Sequence, residues 1–397
     1  MNRNTLLYLD YNATTPCPTD VVEEMVPFFG TEYANPASAH LMGRKAAKAV
    51  EKVREEISNL VGCRAGDLFF TAGATESNNL VLQGLAVWDP EGKRIVTTSI
   101  EHKSILEPCR RLREKGMDVV EVPVTSDCLV DLSTLEGYLD NRTVLVSVQF
   151  ANNETGTIQP IEEIVKICHA RNVLVHIDAA QALGKVPLSL EGLDVDFASL
   201  SAHKCYGPKG IGALYVRSGR ARNAVVPLLL GGGQELSIRP GTMNVPGIVG
   251  FGAACRLAFS DLGSEMTRIA HLRNEFEKQL ESRFSGVRFI GSGATRLPGT
   301  TSVLIPGVPA DALIARMPSI CVGTGSACSS GALSPSHVLL ACGVSRDDAG
   351  CVIRVSMGRF TTSDDVNFAI DEIWTNAEQI LSFSSTSQTE SEKIQVS

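Results

Sequence analysis

The chain has 397 residues and a formal net charge of −8. That length exceeds what one hydrophobic core usually serves, so at least two packed units are expected, and the acidic balance argues against a general nucleic-acid binder, which needs a basic face for phosphates. Eleven cysteines, an odd number without CxxC pairs or zinc-like spacing, speak against a disulfide framework and a structural metal site; most are expected to be reduced core residues. Neither Met1–Asp10 nor any later run is apolar for long enough to suggest a signal or a bilayer span, so a cytoplasmic protein without a membrane partner is expected.

Short β-like runs alternate with helical periods along the chain, which predicts an α/β fold with helices covering a largely parallel sheet. After the short run Leu7-Tyr8-Leu9-Asp10, the residues Ala46, Val50, Val53, Ile57 and Leu60 recur at helical spacing and mark a packing stripe. Leu68–Thr71 reads as a strand, Ala72–Ser77 as a small-residue turn and Asn79 onward as a helix. Such a junction aims backbone N–H groups and a hydroxyl at an anion, with the helix dipole adding to the attraction. Ala74 and Thr75 are therefore cofactor-binding candidates, with Thr75 for a phosphate; a simple N-cap accounts for Thr75 equally.

Arg94–Ser99 is a second strand running toward a helix, and His102 lies at the junction, where an imidazole can cover a ring, exchange protons, or only cap the helix. Val144–Val148 leads into Asn152–Gly156, and Val173–Ile177 leads into Asp178-Ala179-Ala180-Gln181. Both strands end in polar residues at their carboxyl ends, where open α/β sheets bind ligands. A carboxylate at Asp178 could keep a pyridine nitrogen protonated, or cap a turn. The stretch Ser199–Gly210 passes from strand-like alternation through Ser201-Ala202-His203-Lys204 and breaks at Gly207-Pro208, which sets Lys204 at the lip of a sheet. Lysine there is either a surface amine or the side chain that forms a Schiff base with pyridoxal phosphate. Asp178 one strand earlier favours the second reading.

Gly231-Gly232-Gly233 and Arg239-Pro240-Gly241-Thr242 read as a loop, with Thr242 a second phosphate candidate. One helix is predicted from about Val245, and a second from the spacing of Ile269, Leu272, Phe276 and Leu280, marking passage into a smaller domain. Beyond the strand-like Thr301–Ile305, the stretch Ser319–Gly331 is nearly free of bulky side chains, so its backbone is permissive. Among the cysteines, Cys328 on this loop is the one whose surroundings suggest chemistry. Arg354, on the strand-like Val352–Arg359, either turns inward to grip a carboxylate bidentately or faces solvent. Ser382–Ser397, rich in Ser, Thr, Gln and Glu, reads as a flexible tail.

Leu9–Pro16, Ala34–Ser38, Gly73–Asn78, Asn152-Asn153-Glu154, Gly325-Ser326-Ala327-Cys328 and Gly358–Thr362, taken together and in this order, resemble the group I cysteine desulfurases, a pyridoxal phosphate family of the class V aminotransferase type. The resemblance implies the type I pyridoxal phosphate fold. Its large domain, residues 16–260, would hold a mainly parallel seven-stranded sheet flanked by helices; residues 1–15 and 261–381 would form a smaller α+β domain carrying the Cys328 loop, with 382–397 as the tail. It implies that Lys204 carries pyridoxal 5′-phosphate as an aldimine, Asp178 pairs with the ring nitrogen, Gln181 contacts the phenolic oxygen and His102 stacks on the ring. Thr75, Ser201, His203 and, from a neighbouring subunit of a homodimer, Thr242 would hold the phosphate. Asn153 and Arg354 would bind the carboxylate of L-cysteine, and Cys328 would take its sulfur as a persulfide for an acceptor protein.

Ala202 stands where this family usually has glycine, and Cys205 where a larger apolar residue is commoner. The tail lacks the Leu-Ser-Pro-Leu-Trp type of ending by which housekeeping iron–sulfur assembly members dock their scaffold, which leaves a specialised route such as nitrogen-fixation cluster supply or DNA phosphorothioation open. Competing expectations are a selenocysteine lyase or another class V aminotransferase on the same fold, and a non-enzymatic sulfur or metal carrier.

Overall fold

The computed structural model describes residues 6–88, 92–324 and 335–395. Cys328 and the heart of its glycine-rich loop lie outside the described residues.

The strand runs read from the sequence pair into one seven-stranded sheet. Its spatial order is Leu68–Thr71, Gly212–Val216, Phe197–Ser201, Leu174–Asp178, Thr143–Gln149, Arg94–Thr98 and Asp118–Val122. Every neighbouring pair is parallel except the two made by Gly212–Val216, which runs antiparallel to both of its partners. Period-two alternation divides the strands between two cores. Val96, Val146, Val175, Ala198 and Tyr215 face one cluster, with the helices Leu41–Leu60 and Ile161–His169, whereas Ile95, Leu145, Leu174, Phe197 and Leu214 face the other, with Ala74–Trp88 and Lys103–Glu114. Each fully buried side chain of this size contributes roughly 1.5–3 kcal/mol over its exposed state, so a one-residue slip in any strand would be heavily disfavoured.

A second sheet is antiparallel, in the order Gly323–Thr324, Val352–Ser356, Thr300–Leu304, Arg288–Phe289. Beside it Leu7–Tyr8 pairs in parallel with Ile320–Cys321, so the start of the chain is tied to the C-terminal part. The core of this part joins Leu7 and Leu9 to Phe276, Leu280, Val303, Val355, Ile370 and Ile373.

The two helices expected after Val245 are one, Val245–Arg283. Its first half packs Ile248, Phe251 and Cys255 into the main core and its last turns pack Leu272, Phe276 and Leu280 into the C-terminal core. The polar residues between them, around Ser260–Glu265, interrupt the apolar stripe without breaking the backbone ladder. By length and composition this helix could cross a membrane, contrary to the expectation that no run could, but it is mostly buried inside the protein. The final helix, Ser363–Gln395, takes in most of the segment expected as a flexible tail; neither glycine nor proline follows Gly358 to stop it.

Two cysteines fall outside the reduced majority expected: Cys128 and Cys342, 214 residues apart, form a disulfide inside a small apolar cluster with Ile100, Leu304 and Val338. Cysteine count and spacing carry no trace of it, because only the fold brings the two together. Eight other described cysteines are free.

Candidate active site

The carboxyl ends of five strands of the main sheet converge on a cavity of about 920 Å³. Leu68–Thr71 leads through Gly73 into the helix beginning at Ala74. Gly73 has φ +149° with open space where a side chain would be, and Gly212 on the adjacent strand has no room for a Cβ, which would sit 2.6 Å from the Cα of Gly73. The turn can therefore fold close to the sheet, and the first turn of the helix, with Ala74 and Thr75, opens onto the cavity. Its positive end suits a phosphate. Glu76 faces the same space but is neutralised by Arg239, whose Nε donates to it at 2.8 Å.

Asp178 ends its strand with the carboxylate fixed on both oxygens. Oδ1 accepts from the N–H of Ala180 at 3.0 Å and Oδ2 from Nδ2 of Asn78 at 2.7 Å. The Asp178 side chain thus caps the turn and lines the cavity at once. The same holds for His102, which caps the helix Lys103–Glu114 by accepting from the N–H of Ser104 at 3.1 Å while lining the cavity. Burial holds its imidazole below the ordinary histidine range against the pull of Asp178. Behind it Glu101 is fully buried and pushed up to about 8, burial outweighing the hydrogen bonds from Thr98 and the N–H of Gln149.

Ser201 closes its strand, and the single 3₁₀ turn Ala202–Lys204 swings Lys204 over the cavity. The lysine Nζ donates to the backbone carbonyls of Asn12 and Ala13, the latter at 2.9 Å. His203 hydrogen-bonds through Nδ1 to Thr14 Oγ1 at 3.1 Å and is pushed down to about 4 by burial and then by Lys204. The departures at Ala202 and Cys205 are accommodated: both are fully buried in the main core. Cys205 lies against Gly184 and Cys255 and is absent from the cavity wall.

The opposite wall comes from the C-terminal strand Val352–Ser356. Arg354 points inward, with Nη2 donating to Asp10 Oδ1 at 2.6 Å and Nη1 to the carbonyl of Asn153 at 3.1 Å. Its Nε is buried and without a partner among the described residues. Asn153 and Gln181 complete this side of the cavity. Thr242 is exposed and does not line the cavity of its own chain.

Sequence reasoning missed Asn78, which holds Asp178, and the pairing of Asp10 with Arg354. It also missed Asn12, whose carbonyl touches Lys204 and whose Nδ2 donates to Thr300 Oγ1 and to the carbonyl of Asn153. Asp10 and Asn12 sit inside the motif that carries the resemblance, so the signal was present without a role attached. Asn78 closes the Gly73–Asn78 motif of the same resemblance, likewise without a role attached.

An amine, a fixed carboxylate, a helix N-terminus and an unsatisfied guanidinium edge around one cavity define a class: an α/β protein built to hold an anionic carbonyl cofactor next to an acidic small molecule. Residues 7–368 match the family described as Aminotransferase class-V, and the chain belongs to it. Over 376 residues it is 40% identical to the cysteine desulfurase IscS of Rickettsia prowazekii (strain Madrid E), covering 94% of this chain and 92% of that one. The structure superposes on a solved NifS-like protein with a TM-score of 0.88 at 40% identity, covering 96% of this chain and 100% of that chain. A structure of SspA in complex with cysteine matches with a TM-score of 0.80 at 36% identity, covering 90% and 100% of the two chains. Members of the family work with pyridoxal 5′-phosphate. The residues fit it: the cavity has the volume, Lys204 and Asp178 stand on neighbouring strand ends, and the helix N-terminus faces the same space.

Proposed function

We propose that the protein is a pyridoxal 5′-phosphate-dependent cysteine desulfurase that moves sulfur from L-cysteine to Cys328, leaving L-alanine. The observation that carries this reading is the convergence of Lys204, Asp178, Thr75 and Arg354 on one cavity. Bound there, the cofactor supplies an electron-poor ring that withdraws charge from the substrate's α-carbon. Lys204 is the covalent tether and then the base for the α-proton. Asp178, held by Asn78 and Ala180, supplies the negative charge that keeps a ring nitrogen protonated. Ala74, Thr75, Ser201 and His203 hold the phosphate, Gln181 donates to the phenolic oxygen and His102 covers the ring. Arg354 and Asn153 hold the carboxylate of cysteine. The Cys328 thiolate forms an S–S bond to the substrate sulfur as the C–S bond breaks, and the carbon chain takes up protons to leave as alanine.

The neighbouring subunit of a homodimer supplies Thr242 to the phosphate. In support, Leu228, Leu229, Leu230 and Leu236 are all exposed on the loop that carries Thr242, and Leu228 also lines the cavity; a cluster of this kind marks an interface. Eight of the described cysteines are free thiols, which fits a reducing compartment, the cytoplasm, whereas the Cys128–Cys342 pair speaks against it. From Cys328 the sulfur passes to an acceptor protein of cluster assembly or of a specialised thio-modification such as DNA phosphorothioation.

The test is sulfide release from L-cysteine by the cofactor-loaded protein under a thiol reductant, compared with Cys328→Ala. Loss of release in the variant with its yellow colour retained supports the reading. Undiminished release, or turnover of selenocysteine alone, assigns the site to a lyase that does not use Cys328.

A further inference from the structure

Lys185 takes no part in the chemistry outlined above, yet its amine is bound into the site. It follows Gly184, whose φ of +69° and contact with Cys205 leave no room for a side chain, so the backbone turns sharply just after the loop that leaves Asp178. The residue as a whole is half-buried, while its ammonium end is enclosed. Nζ donates to Oε1 of Gln181 at 2.7 Å and to Oδ1 of Asn12 at 3.0 Å.

Those two bonds settle how both amides are turned. As an ammonium the lysine only donates, so each amide must then offer it oxygen and carry its NH₂ elsewhere. For Asn12 the NH₂ goes to Thr300 and Asn153. For Gln181 one N–H is taken by the carbonyl of Asn12 at 2.9 Å, and the other remains for the cavity that Gln181 lines. The carbonyl of Asn12 in turn accepts from Lys204, so Lys185, Gln181, Asn12 and Lys204 form one continuous network. Without Lys185, only the single bond to the Asn12 carbonyl would oppose Gln181 turning its oxygen toward the cavity.

We propose that Lys185 is a positioning residue that locks the amide of Gln181 so that it presents a donor, not an acceptor, to the phenolic oxygen of the bound cofactor. This deepens the function proposed above and rests on it. A donor on that oxygen stabilises its anionic form and so eases loss of the proton shared with the tethering nitrogen; an acceptor there opposes it. The groups facing Lys185 are Lys204, Cys205 and Arg354, and burial followed by Lys204 pulls its ammonium down to about 7. Both bonds survive in either protonation state, since the neutral amine still has two N–H groups.

The experiment is a pH titration of the visible absorbance of the purified holoenzyme without substrate, for wild type, Lys185→Met, Lys185→Arg, Gln181→Ala and the double variant Gln181→Ala/Lys185→Met. In Lys185→Met the midpoint should move up by about one pH unit, and Lys185→Arg should restore most of the difference. In the Gln181→Ala background, Lys185→Met should add little, because the amide through which it acts is gone. An unmoved midpoint in Lys185→Met overturns the inference. A full additional shift in the double variant also overturns it, because the lysine would then act by charge alone. A wild-type protein that stays colourless with pyridoxal phosphate refutes the cofactor reading itself, which separates that failure from failure of the positioning role.

Discussion

The cavity has two walls that are built differently. On the strand-end wall the capping bonds are local, Asp178 with Ala180 and His102 with Ser104, although Asp178 also accepts from Asn78 and Lys204 reaches the carbonyls of Asn12 and Ala13. On the facing wall, Arg354 is bound to Asn153 and Asp10, 201 and 344 residues away in sequence. The backbone frame of the first wall is a property of one sheet and its turns. The second exists only once Leu7–Tyr8 and the C-terminal strands have come together. Chemistry at the first wall should therefore be lost by a single change without loss of fold, whereas changes at the second should cost binding and stability together.

The largest effect is expected from Lys204→Ala. Loss of the proton transfer alone should lower sulfide release by roughly 10²–10⁴-fold, and the visible band of the tethered cofactor should vanish. Since Lys204 donates to backbone carbonyls at the edge of an open cavity, the denaturation midpoint should barely change. A variant that keeps the band would break the assignment of the amine.

Next is Arg354→Met. Losing charge-assisted bonds to a carboxylate should raise KM for cysteine roughly 10- to 100-fold with a smaller effect on kcat. The side chains of Arg354 and Asp10 are 4% and 19% exposed, so removing the arginine also strands Asp10 at the cavity edge, and the protein should unfold at lower denaturant. Asp10→Asn, which leaves the guanidinium buried with a neutral partner, should destabilise as well while sparing KM by comparison. Equal KM values for the arginine variant and wild type would remove the facing wall from substrate binding.

The contrast between the walls also explains what could be read from the sequence. The runs ending at Thr71, Thr98, Gln149, Asp178 and Ser201 announced themselves by β-branched and apolar composition giving way to polar turns, and the residues just beyond them proved to line the cavity. Arg354 had two readings from the sequence, inward or facing solvent, and its strand, buried at every position, turns it inward; Asp10 as its partner was not legible, since nothing in local composition reports a contact spanning 344 residues. The Cys128–Cys342 disulfide was hidden for the same reason. The fused helix Val245–Arg283 was misread where an exposed polar stretch suspends the apolar period that sequence reading depends on. Lys185 drew no reading from the sequence; its meaning comes from the two amides it meets.

A third change tests the facing wall through pH. Glu154 is buried, and burial pushes its carboxyl from 4.5 to about 7 against the pull of Ser336 and Arg354. Its folded value is raised, so its contribution to stability is fully present below pH 4.5 and is lost as pH rises through about 7, where the folded protein must also give up the proton. Glu154→Gln removes that dependence. The stability of wild type relative to the variant should fall by about 3 kcal/mol between pH 4.5 and 8, measured as denaturant midpoints at both ends. Parallel pH profiles would mean that Glu154 is not held neutral.

The smallest expected effect is at a helix cap bonded to Glu154, and it has a counterpart on the first wall. Ser336 Oγ donates to Glu154 Oε2 at 2.5 Å and accepts from the N–H groups of Val338 and Leu339 at 3.1 and 3.3 Å, capping the helix His337–Ala341. His102 caps Lys103–Glu114 in the same manner. A five-residue helix has scarcely one turn of backbone bonds to set against the cost of nucleation, whereas a twelve-residue helix has several. Ser336→Ala should therefore cost about 1–2 kcal/mol through the lost cap and the bereft Glu154 oxygen, and Ser336→Thr, which keeps the hydroxyl, should cost less. His102→Asn, which keeps a capping acceptor, should leave stability nearly unchanged while altering the visible spectrum of the holoenzyme. If Ser336→Ala were as silent in denaturation as His102→Asn, the second wall would be no more dependent on its long-range ties than the first, and the contrast drawn between them would fail.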